Sequence, residues 1–232
     1  MGQVIILPET TKQPITLIGE RAGICWGADT SDPEANYKRG WDCITSGHGR
    51  TLEFVEVSML IDGYSARVIR EWYTHIGGMP TRLQASTRYI DYGEFDYVVP
   101  PSIREHNGYD DALMIYDAAM ETISNSMQQL ESKGIPREDI ALLLPLGMTT
   151  RIVDKRNLRN LIDMSRNRMC VRALWEYREG FDAICDGLIQ YGLDNGSREW
   201  QTIVTTQMKS KCDVLGFCPE KHGCGKYPQK EG

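Results

Sequence analysis

No apolar run in the sequence approaches the roughly 18 residues needed to span a bilayer, so no membrane partner is expected. The opening stretch, MGQVIILPETTKQP, lacks a basic n-region, and its apolar segment is too short for a signal peptide. The Ser/Thr that follows a myristoylated Gly2 is missing as well. A cytoplasmic location is the resulting expectation. The chain has no Walker phosphate loop, no G-x-G-x-x-G dinucleotide turn and no G-x-S-x-G elbow. Ser86 has no histidine near it in sequence, and nothing points to a Ser–His–Asp hydrolase. No segment repeats at a fixed period, and no low-complexity linker divides the chain. The seven cysteines are an odd number, and Cys25, Cys43, Cys170 and Cys185 are scattered through apolar or mixed segments. That pattern reads as reduced cytosolic thiols and not as a disulfide framework.

What is present is ordinary for a soluble globular protein: 232 residues, 41% hydrophobic and 25% charged. Such a length gives one domain, or one elaborated domain, with a sizeable core. The net charge of −6 argues against nucleic acid as a partner. The charge is uneven, however. Arg151, Lys155, Arg156, Arg159, Arg166, Arg168, Arg172 and Arg178 crowd one stretch, against Asp154, Asp163 and Glu176. An acidic chain with one arginine-rich segment suits a small anionic ligand better than a duplex.

Local patterns predict the elements. Val4 to Leu7 reads as a strand and Ile15 to Ile18 as a second short extended piece. RAGICW, from Arg21, turns helical toward Asp32–Arg39, where Asp32-Pro33 is a good helix start. Ser46 to Glu53 is a glycine-rich turn, and FVEVSMLID alternates like a half-buried strand. Val68, Ile69, Trp72 and Tyr73 fall at helical spacing. Tyr109 to Lys133 is the longest helix candidate, with Leu113, Tyr116, Ala119, Met120, Ile123, Met127 and Leu130 on one stripe and Gly134 ending it. A short helix from Pro136 stops at Pro145, and Leu144 to Arg151 is a break between helical runs. A second long helical stretch begins near Lys155 and resumes through Leu174 to Ile189. The sum is one α+β domain, helix-rich in its second half.

The densest polar cluster lies between Arg70 and Asp91: Thr81, Arg82, Gln84, Ser86, Thr87, Arg88 and Tyr89. Guanidiniums separated by amide and hydroxyl groups suit a phosphate ester. Gly77, Gly78 and Pro80 rule out a continuous helix there, so the cluster enters on a shaped loop; an ordinary polar loop followed by an edge strand is the plainer alternative. Arg168 and Arg172, four residues apart, would share a helix face, either as a solvated basic surface or as part of an anion site. His48 taken alone reads as a structural or surface residue. The tail offers Cys212, Cys218, His222 and Cys224 as C-x5-C-x3-H-x-C. Four such ligands could hold a tetrahedral zinc, but the spacing lacks the usual knuckle, so free thiols are preferred and no metal is expected.

Taken together, these stretches resemble the flavin-dependent thymidylate synthases. The motif R-H-R-x-x-S-x-N-E-x-S-x-R-Y of that family is matched in its second half by T-R-L-Q-A-S-T-R-Y, Thr81 to Tyr89. Ser86, Arg88 and Tyr89 match outright; Thr81 takes the place of the first serine and Gln84 that of the glutamate. RAGICW at Arg21, GHGRTLE at Gly47, LPLGMTTR at Leu144 and ALWEYR at Ala173 are similar to further family segments, in the family's order, over roughly residues 20–190. In the first half of the motif, R-H-R, only His75 is retained: Thr74 stands where the first arginine belongs, and two residues are inserted around Gly77-Gly78. Arg50 replaces a small hydroxyl, and Arg172 a frequent histidine.

The resemblance implies a thymidylate-synthase-complementing fold, α+β with a central, mostly antiparallel sheet flanked by long helices. It would occupy residues 1–210, with 211–232 a cysteine-bearing tail. It implies a homotetramer binding FAD and deoxyuridylate (dUMP), with methylenetetrahydrofolate and NADPH as co-substrates. By position, Ser86, Thr87, Arg88 and Arg151 would bind the nucleotide phosphate or sugar, and Glu71 and Gln84 would line its pocket. Arg178 would lie against the uracil and stabilise charge as C5 becomes nucleophilic, so that Arg178 and Ser86 are the catalytic candidates. His48, Glu53, His75, Arg82, Arg166 and Arg168 would touch flavin or folate. A sister enzyme acting on dCMP, or leaving a hydroxymethyl group, and a non-catalytic nucleotide-binding homologue are the alternatives.

Overall fold

The structure is a computed structural model and describes residues 2–229. Its first strand, β1 (Gln3–Ile6), leads into α1 (Pro14–Cys25) and α2 (Pro33–Thr45). Here the sequence reading is corrected: Ile15–Ile18 is not extended but lies in α1. The reason is long-range. The buried Glu199 carboxylate accepts the Ile15 and Thr16 amides at 2.6 and 3.0 Å and the Thr16 hydroxyl at 2.5 Å, satisfying donors that the helix start leaves open. The Asp32 cap is as expected, its Oδ1 accepting from the Glu34 amide at 2.9 Å. Helices α1 and α2 touch at Gly19 and Gly40, where an added Cβ would fall on the other helix's backbone.

A 3-10 turn (Gly49–Phe54) precedes β2 (Glu56–Ser65), which is followed by α3 (Ala66–Trp72), capped by the Ser65 hydroxyl. Strand β2 is more enclosed than a half-buried strand, with Val57, Ser58, Met59 and Ile61 all buried. Then come β3 (Thr81–Gln84), α4 (Pro101–Arg104), α5 (Tyr109–Ser132) and α6 (Arg137–Ile140). Met120 and Met127 of the α5 stripe are buried. Gly134, just past its end, has φ +81°, a left-handed conformation that glycine adopts without steric cost.

The second correction concerns β4 (Thr149–Asn157). The last three residues of the expected break, Thr149 to Arg151, and the start of the second long helix are in fact a nine-residue strand, and α7 begins only at Leu158, running to Arg168. Next are α8 (Trp175–Asp194), α9 (Glu199–Gln207) and α10 (Lys211–Leu215). The strands form one four-stranded antiparallel sheet in the order β1–β2–β4–β3. The α+β class and the largely antiparallel sheet expected from the sequence are therefore what forms.

The chain divides into two compact units. The first is built chiefly from Ile61–Thr74 and Leu83–Ile152; the second from Val4–Leu60, His75–Arg82 and the chain from Val153 onward. In the second unit, Tyr177, Phe181, Ile184 and Leu188 of α8 and Trp200 and Ile203 of α9 are without solvent exposure. No helix among the described residues is long and apolar enough to cross a membrane.

Candidate functional site

Within the first unit, the polar cluster continues from Leu83 and Gln84 of the edge strand β3 into a turn. The Ala85 amide donates to the Arg151 carbonyl at 2.8 Å, and the Gln84 amide nitrogen reaches the Thr150 hydroxyl at 3.4 Å. In the turn, the Arg88 amide donates to the Ser86 hydroxyl at 3.2 Å and the Ile90 amide to the Ser86 carbonyl at 3.1 Å. Ser86 and Thr87 are half-buried and Arg88 is exposed. The Arg88 guanidinium sits 5.2 Å from the Tyr89 ring centroid. Arg151, exposed on β4, donates to Asp62 at 2.6 Å, and this hydrogen bond pulls the Asp62 carboxyl below its ordinary range. Arg151, Gln84 and the Ser86 turn thus adjoin through β3–β4 pairing. Glu71, half-buried, stands on α3. The turn is tied down at its far end by Arg137, which reaches Asp91 at 3.2 Å and Glu131 at 2.8 Å.

The second unit holds the remaining predicted residues. His48 is exposed, its Nδ1 2.9 Å from the Ser46 hydroxyl. Glu53 is bridged by Arg159 at 2.6 Å. Arg82, half-buried, lies on β3. Arg178, at the start of α8, donates through Nη1 to the carbonyls of Val171 and Ala173, the latter at 3.2 Å, and so braces the turn before its own helix. That turn also overturns the expectation that Arg168 and Arg172 share a helix face, because α7 ends at Arg168.

Arg168, by contrast, is closely surrounded. Its Nε donates to His75 Nε2 at 2.9 Å, and its guanidinium carbon lies 4.5 Å from the Tyr177 ring centroid. The His75 ring meets Tyr177 edge-on at 6.0 Å. Burial first, then the Arg168 and Arg156 charges, push His75 down to about 4, so it is neutral near pH 7 and free to accept. The turn that carries His75 is docked by its glycines. Gly78, with φ +71°, lies so close to the Asn157 side chain that a Cβ would collide with it.

Arg166 and Arg168 line a cavity of about 240 Å³ together with Arg172, Cys170, Lys211 and Glu220, among others. Arg166 donates to the Lys209 carbonyl at 3.2 Å, and burial draws its guanidinium below its ordinary value. Three guanidiniums and an ammonium against one carboxylate make a lining suited to an anion such as a phosphate, pyrophosphate or carboxylate. The sequence pattern brought out Arg166, Arg168 and Arg172, but not the part played by Tyr177 and Lys211. Tyr177 stood inside ALWEYR, whose arginine alone drew a role, and Lys211 lies in the tail.

In the tail, Cys212 and Cys218 are buried, while His222 and Cys224 are exposed. Among the described residues no group of three or more His, Cys, Asp or Glu could hold a metal. Asp213 organises the segment instead. It accepts from Lys226 at 2.8 Å, Ser210 at 2.6 Å and Tyr227 at 3.1 Å, and is pulled down to about 2 by Lys226 foremost.

Comparison with known proteins places this architecture. The chain is 30% identical over 198 residues to the flavin-dependent thymidylate synthase of Nitratidesulfovibrio vulgaris, covering 81% of this chain and 75% of that protein. It is 26% identical over 199 residues to the enzyme of the same name from Clostridium tetani, covering 77% and 79%. It is 27% identical over 245 residues to the one from Pyrococcus furiosus, covering 98% and 95%. Residues 7–190 match the family described as thymidylate synthase complementing protein, a span containing every candidate binding or catalytic residue that the sequence suggested. The chain belongs to the thymidylate synthase complementing protein family.

Proposed function

We propose that this protein is a flavin-dependent thymidylate synthase that methylates dUMP reductively at C5, with methylenetetrahydrofolate as carbon donor, NADPH as reductant and FAD as cofactor. The family match over residues 7–190 carries the proposal. The donor chemistry agrees with it: the arginine-lined cavity in the second unit fits in kind the anionic groups of flavin or folate. In this reading Arg166 and Arg168 meet such a group, with His48, Glu53, His75 and Arg82 as further flavin or folate contacts. Bound FAD supplies the redox chemistry.

The remaining work falls to the chain's own side chains. Ser86, Thr87, Arg88 and Arg151 grip the nucleotide's phosphate and sugar through hydroxyl donors and charge-assisted hydrogen bonds. Glu71 and Gln84 line the nucleotide pocket. Arg178 turns remaining donors of its fork toward the uracil and stabilises negative charge as C5 becomes nucleophilic. The working form is a homotetramer.

Flavin titration of the purified protein tests the cofactor half of this reading. FAD should bind and give a yellow protein, and Arg166→Ala together with Arg168→Ala should weaken that binding. A protein that stays colourless with excess FAD would favour a non-catalytic nucleotide-binding role.

A further inference from the structure

We infer that His75 and Tyr177 are positioning residues for Arg168: the imidazole and the phenol ring fix its guanidinium against the cavity wall so that it meets an anionic or carbonyl group of the ligand ready-oriented. This rests on the proposed binding role of Arg168 and adds to it Tyr177, which acts through Arg168, and a positioning role for His75 beside its proposed flavin or folate contact.

An arginine side chain has many rotamers, and ordering one on binding costs free energy that a pre-ordered fork avoids. Arg168 is held on two sides. Its Nε donates to His75 Nε2 at 2.9 Å, and its guanidinium stacks 4.5 Å from the Tyr177 ring centroid. Tyr177 is a fixed platform, with 0% exposure in the core of α8. His75 is fixed in turn, because it packs edge-on against the same ring at 6.0 Å and rides on a turn where a Cβ added at Gly77 or Gly78 would crowd the side chain of Asn160 or Asn157. Asn160 also accepts from Arg156 at 2.5 Å, and Arg156 is held by Asp154. The Arg156 charge lies near enough to His75 to help keep the imidazole neutral, and only a neutral ring has a lone pair for Arg168. If His75 accepts at Nε2, its proton must sit on Nδ1.

Two experiments decide the matter. The first needs no substitution: nitrogen-15 spectra of the intact protein near neutral pH should show His75 as the Nδ1-protonated tautomer, with the Arg168 Nε proton displaced by the Tyr177 ring current. A His75 proton on Nε2 would overturn the inference. The second is a double-mutant cycle on the dissociation constant for FAD and the KM for dUMP. Arg168→Ala should raise one of these constants. Tyr177→Leu and His75→Ala should raise the same one, each by about tenfold, while Tyr177→Phe, which keeps the ring, stays near the parent value. Added to Arg168→Ala, Tyr177→Leu should cause no further loss, since nothing remains to be positioned. Additive losses beside an effective Arg168→Ala would overturn the positioning role alone. An Arg168→Ala variant that changes neither constant would overturn the binding role of Arg168 as well. Should Tyr177→Leu fail to fold, the tautomer and ring-current readouts on the intact protein decide the matter.

Discussion

Arg156 and Asp154 face each other on β4 with no solvent exposure on either side chain, joined by two hydrogen bonds of 2.5 and 2.9 Å. Breaking such a pair leaves a buried charge without its partner. Arg156→Ala should therefore cost about 3–5 kcal/mol in urea unfolding, and more than replacing both residues by apolar ones of similar volume. His75 makes the pH counterpart. Unfolded, it titrates near 6.5; folded, it titrates at about 4. Between those values the unfolded chain binds the extra proton, so stability is present above the window and falls as the pH drops through it. Removing that titration by His75→Gln should flatten the acid loss between about pH 6.5 and about pH 4, as measured by denaturant midpoints. At this scale Ser86, Arg88 and Arg178 could be singled out as candidates because they fall within motif-like strings. The partnership of His75, Arg168 and Tyr177 was not, since it joins residues from three stretches that meet only once the turn before β3 is docked.

Strand β4 shows how charge can hide an element. Its burial alternates from Thr150 through Ile152 and Asp154 to Arg156, as a strand's should. Two of the four inward positions hold the Asp154–Arg156 pair, so hydrophobicity does not alternate and the local pattern looks like a helix approach. The N-terminal half of α1 was misread for a different reason: Ile15 to Ile18 is locally compatible with a strand, and its cap comes from Glu199, far along the chain. By contrast α2, α3 and α5 were legible from local signals: the Asp32 cap and Pro33 at the start of α2, the helical spacing of Val68, Ile69 and Trp72 in α3, and the apolar stripe of α5 closed by Gly134. The α1–α2 packing gives a prediction at this scale. An added methyl at Gly40 would lie on the Ile15 carbonyl. Gly40→Ala should separate the two helices and cost about 1–3 kcal/mol, read as a lowered thermal midpoint, whereas Gly47→Ala, where nothing lies within contact of a Cβ, should act only through its φ of +77°.

For the whole molecule, the fold and its family membership stand on a match across residues 7–190, and the net charge of −6 coexists with a cation-lined cavity. That combination suits an enzyme drawing in a small anion and not a nucleic-acid binder. The most direct measurement of the central claim is product mass. The purified protein is incubated with FAD, NADPH and methylenetetrahydrofolate, and with either dUMP or dCMP, and the nucleotide is analysed by mass spectrometry. The account predicts that dUMP is converted to dTMP and that dCMP is recovered unchanged. Recovery of intact dUMP beside a modified dCMP, or a hydroxymethyl product from dUMP, would contradict it.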